Sequence, residues 1–65
     1  MITVDTVVEN LDRTIAGKVA YRRKLRLEVP KNFGDKLALT AMIHFLNVNI
    51  EELRKIRDDV AAING

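Results

Sequence analysis

Polar and apolar positions along this chain fall into two regular runs separated by one irregular stretch. In the second run Leu39, Met42, Leu46, Asn49, Leu53, Ile56, Val60 and Ile63 follow one another at spacings of 3, 4, 3, 4, 3, 4 and 3. This is an a/d heptad seam with one polar member, Asn49, and such a seam needs a partner helix to cover it. In the first run Val4, Val8, Leu11, Ile15 and Val19 are spaced 4, 3, 4 and 4 and share one helical face. The break between them is Val29-Pro30-Lys31-Asn32-Phe33-Gly34-Asp35. Pro30 cannot continue a helix and disfavours helix at Val29, and Asn32, Gly34 and Asp35 are turn and cap residues.

The pattern predicts a helix over about residues 4–28, a turn at 29–34 and a second helix over about 35–63. Thr6-Val7-Val8-Glu9 matches a capping box at the start of the first helix. Glu9 and Arg13 form an i,i+4 pair in the favourable order, and Gly17 weakens the helix by about 1 kcal/mol without ending it. Residues 21–29 fit two states. As helix they are mostly good formers; as strand, Leu25, Leu27 and Val29 alternate with Lys24, Arg26 and Glu28. In the second helix, Glu51–Lys55, Arg54–Asp58 and Lys55–Asp59 suit a solvated face. Asn49-Ile50-Glu51-Glu52 also reads as a capping box, which would start a new helix at Ile50. Unbroken heptad phase favours one continuous helix, with Asn49 as a seam residue fixing register.

Size sharpens the expectation. A domain of 65 residues is marginal alone and is usually stapled by disulfides, by a metal or by oligomerisation. There is no cysteine, and His44 is the only histidine, with no ligand-type residue three or four positions away. Oligomerisation remains. The fold expected is therefore one all-α domain, a two-helix antiparallel hairpin that dimerises into a four-helix bundle. It resembles the small plasmid copy-control dimers in size and layout, though it carries no motif of theirs. The partner expected first is a second copy, with Leu39 to Ile63 as the dimer seam.

Charge adds a second surface. The net charge is +2, yet residues 1–12 carry −3, residues 13–36 carry +6 and residues 37–65 carry −1. Lys18, Tyr21, Arg22, Arg23, Lys24 and Arg26 form a basic belt with one aromatic ring, which reads either as a contact surface that neutralises phosphates while Tyr21 stacks on a base, or as a solvated face whose stems cover apolar surface. The segment Arg23 to Pro30, then a helix, then Asn47 to Leu53, resembles the ribbon-helix-helix family of DNA-binding repressors. That resemblance implies a strand whose polar face, Lys24, Arg26 and Glu28, reads bases from the major groove of DNA as part of a dimer. Asn47 stands where the family has glycine, and residues 1–22 would be an extra helix before the strand.

Signatures of catalysis are missing. There is no nucleophile beside a histidine and no glycine-rich phosphate loop, and Asp58 and Asp59 are adjacent, so on a helix they diverge by about 100°. No cofactor or metal is expected, and His44 reads as a histidine at the edge of the packed face. Asp5, Glu9 and Asp12 interrupt any apolar leader, the longest apolar run is too short to span a bilayer, and absent cysteine fits a reducing cytosol. The functional expectation is a non-catalytic cytoplasmic interaction module, an adaptor or inhibitor binding a larger protein or nucleic acid, with a DNA-binding regulator as the alternative.

Overall fold

A computed structural model describes residues 2–63, which form two α-helices: α1, Val4–Leu27, and α2, Phe33–Ile63. The hairpin expected from the apolar spacing is present. The described residues contain no strand, so the ribbon-helix-helix alternative is corrected: Arg23 to Leu27 are the last turns of α1. Alternation at Leu25, Leu27 and Val29 did not decide the state. Leu25 buries against α2 as the next member of the α1 helical face, while Leu27 and Val29 stay exposed.

Caps set the boundaries. Thr3, in extended conformation, is the N-cap of α1; its hydroxyl accepts from the Thr6 amide at 3.1 Å. The Thr6–Glu9 capping box is therefore not the start of the helix, because Thr3 offers the same chemistry one turn earlier. Thr6 instead places its own hydroxyl 3.0 Å from that of Thr3. At the other end Glu28 turns extended, and Pro30 bars helix at the Val29 that follows. Asn32 caps α2: its side-chain oxygen accepts from the Asp35 amide at 2.8 Å and its backbone oxygen from the Lys36 amide at 3.1 Å. The turn is thus two residues shorter than the spacing suggested at its far end. Helix α2 runs unbroken through Asn49, so the second capping signal is unused.

Two cross-helix pairs fix the register. Arg22 meets Asn47, and Asp12 meets Arg57; ten residues back in α1 correspond to ten residues on in α2, which makes the pair antiparallel and in step. At ~1.5 Å per residue α2 is about 46 Å long, nearly the whole 49 Å of the molecule. Continued to the turn, the register sets the end of α1 level with Met42. The first turns of α2 therefore extend past α1 and are flanked by residues 28–32, with open clefts on either side of that connector. One, of about 310 Å³, lies between Glu28–Lys31 and Asp35, Ala38, Leu39 and Met42. The other, about 220 Å³, reaches Leu25 and Ile43. No helix among the described residues is long and apolar enough to cross a membrane.

Candidate interaction surface

The line of contact between the helices is narrow. Among the described residues only Ile15, Leu25 and Ile50 are buried, with Ile50 the deepest at 1% exposed. On α1 the inner face runs Val4, Leu11, Ile15, Lys18, Arg22 and Leu25, all buried or half-buried, at alternating helical spacing. On α2 it runs Leu39, Ile43, Leu46, Ile50, Leu53, Arg57 and Val60.

That placement divides the seam read from the sequence. Leu39, Leu46, Leu53 and Val60, every seventh residue, are half-buried along one edge of the contact with α1. Met42, Asn49, Ile56 and Ile63, the interleaved set, lie farther round the helix. Ile56 is 50% exposed, Ile63 77%, and Phe45 beside them 71%. The centre of the intramolecular contact is Ile43–Ile50–Arg57, a line outside the seam. The missed signal was apolar width: isoleucines at 43 and 50, one heptad apart, widen the band beyond what one partner helix covers.

Viewed down the hairpin, the two broad sides differ. At about 100° per residue, Val7, Thr14 and Tyr21 of α1 fall on the same side as Met42, Phe45, Asn49 and Ile56 of α2. Those seven residues are uncharged, with Lys18 of α1 and Glu52 of α2 at their margins. The opposite side carries Asp12, Arg23 and Arg26 of α1 with Glu51, Arg54 and Asp58 of α2.

The basic belt does not occupy one face. Arg22 is turned inward and half-buried, donating from Nη1 to Asn47 Oδ1 at 2.7 Å, a charge-assisted bond in the interhelical line. Lys18 is half-buried one turn earlier on the same face. Tyr21, Arg23, Lys24 and Arg26 are exposed, but helical geometry keeps only Lys24, three residues on, beside Tyr21 and sends Arg23 to the opposite side. Arg22, Asn47, Ile50, Glu51 and Arg54 border a shallow cleft of about 280 Å³, where Glu51 offsets the two guanidiniums.

Near the open end Arg57 donates from Nε to Asp12 at 2.9 Å and from Nη1 to Asp58 at 3.3 Å. The hydrogen bond to Asp12, then that to Asp58, raises the guanidinium further above its ordinary value. Asp58 is thus engaged by Arg57 rather than by Arg54. His44 is exposed on α2, not at the edge of the packed face, with its ring 6.3 Å from that of Phe45 in an edge-on arrangement. No group of three or more His, Asp or Glu side chains among the described residues is placed to hold a metal ion. Compared with protein-family models, with curated proteins and with solved structures, the chain matches none.

Proposed function

We propose that the chain is a small, non-catalytic interaction module whose working surface is the apolar side of the hairpin, and that the module assembles as a dimer of hairpins, a four-helix bundle. One observation carries this reading. The three side chains buried among the described residues lie along one line, while Met42, Phe45, Ile56 and Ile63 form an exposed apolar flank beside it. Two helices bury too little surface to be stable alone, and a contiguous exposed apolar patch marks an interface. A bundle of four covers the flank of each hairpin with the other. The cations of the turn end, Arg23, Lys24 and Arg26, stay outside and face a larger macromolecule with an acidic surface.

Light scattering coupled to size-exclusion chromatography tests the assembly. The module runs at twice its 7.4 kDa chain mass, and Ile56→Glu shifts it to the monomer mass. A wild-type chain that stays at monomer mass at high concentration overturns it.

A further inference from the structure

The two ends of the hairpin carry opposite charge. Its midpoint, in the register of Arg22 on Asn47, falls near Tyr21 in α1 and Val48 in α2. The turn half, residues 21–48, holds six basic against two acidic side chains, a formal charge of +4. The open half, residues 1–20 and 49–65, holds five basic against seven acidic, a charge of −2, and the two recover the net +2. The hairpin is a rod 49 Å long and 15 Å wide with one end positive and the other negative.

We infer that the second copy lies antiparallel on the apolar flank, α2 against α2, with the turn end of each copy over the open end of the other. This rests on the reading of the flank as a dimer surface, and adds to it the orientation and register. Charge and helix dipoles select this orientation, and the seam sets its register. A parallel pair sets +4 on +4 and −2 on −2, whereas the antiparallel pair sets each against its opposite. The aligned peptide dipoles of the two long α2 helices also oppose one another only when antiparallel. The seam, finally, reads the same in both directions about residue 51. Reversed on itself there, it places Leu39 opposite Ile63, Met42 opposite Val60, Leu46 opposite Ile56 and Asn49 opposite Leu53. Sliding the copies by one heptad leaves two of the eight steps uncovered.

The antiparallel register is read out by distance between spin labels. The chain has no cysteine, so single cysteines can be placed at exposed positions of α2: Ala41→Cys, Glu52→Cys and Asp59→Cys. About a centre at residue 51, with a rise of ~1.5 Å per residue, the two labels are offset along the axis by about 3 Å at 52, 24 Å at 59 and 30 Å at 41. Circular dichroism of each labelled variant confirms that the helices persist. Distances that lengthen in the order 52, 59, 41 are expected. Equal short distances at all three sites show a parallel pair and overturn the orientation while leaving the dimer standing. No inter-label distance, in a sample of monomer mass, overturns the orientation and the dimer together.

Discussion

The two edges of α2 are made of similar residues and have different fates. Ile43, Ile50 and Ala61 face α1, and Ile50 is sealed from solvent; Ile56 and Ile63, farther round the helix, are left exposed, and Met42 borders only the open cleft beside the connector. Composition does not separate them. The difference is imposed by α1, which offers one line of side chains and can cover only part of an apolar band that spans well over a third of the circumference of α2. An a/d seam states that a helix has an apolar side. Which part of that side is satisfied within the chain is decided by where the connecting turn delivers the other helix.

Substitutions at the two edges should therefore fail in different ways. The largest loss is expected at Ile50→Ala, because a side chain 1% exposed leaves a cavity when truncated, at a cost of about 3 kcal/mol. Chemical denaturation would show it as a lower midpoint, and helicity should fall with it. A loss no greater than that of an exposed alanine substitution would break the assignment of the inner edge. At the outer edge Ile56→Glu should act through association. Sedimentation equilibrium should show the dimer weakened at least tenfold, whereas an unchanged mass would show that this edge carries no contact.

The polar pair between the edges comes next. Asn47→Ala leaves the half-buried Arg22 without its 2.7 Å acceptor, and about 1–2 kcal/mol of stability should go with it. Replacing both partners at once, Arg22→Met with Asn47→Leu, should recover most of that loss; a double variant no better than the single one would mean that the pair is not the cause. Gly17→Ala works in the opposite direction. A Cβ there meets nothing within 4 Å, so removing a helix-interior glycine should stabilise by roughly 0.5–1 kcal/mol. Asp12→Asn should have the smallest effect, within the error of a melting curve, since the side chains of both members of its pair are more than a third exposed. The raised Arg57 pKa adds no acid dependence. Its contribution is fully present below the guanidinium's ordinary value and is lost only as pH rises through the still higher folded one, beyond any working pH.

Much of the fold was legible, and the reasons are local. Pro30 and Asn32 mark the turn between the helices, and the spacing of Val4 to Val19 and of Leu39 to Ile63 marks the helices on either side. Residues 21–29 were ambiguous because alternation and helix propensity coexist there; the burial of Leu25 against α2, a tertiary event, decides it. The cap at Thr3 rather than Thr6 was hidden because threonine serves equally at both positions. Less of the surface was legible. A run of cations in sequence is spread round a helix at about 100° per residue, so Arg22 becomes part of the interior while Arg23 and Lys24 diverge. The line Ile43–Ile50–Arg57 was masked by the more regular seam beside it, and an arginine in that line carries no apolar signal at all.

Concentration dependence of thermal unfolding tests most directly whether the outer edge is completed by a second copy. Followed by circular dichroism over a hundredfold range of concentration, a folded dimer in equilibrium with unfolded chains gains about 2.7 kcal/mol, which for two chains of this length raises Tm by roughly 10 °C. That rise is the result expected of the wild-type chain, with Ile56→Glu losing it. A Tm that stays constant across the whole range, with the mass of a single chain at its upper end, would contradict the claim that a second copy covers the apolar flank.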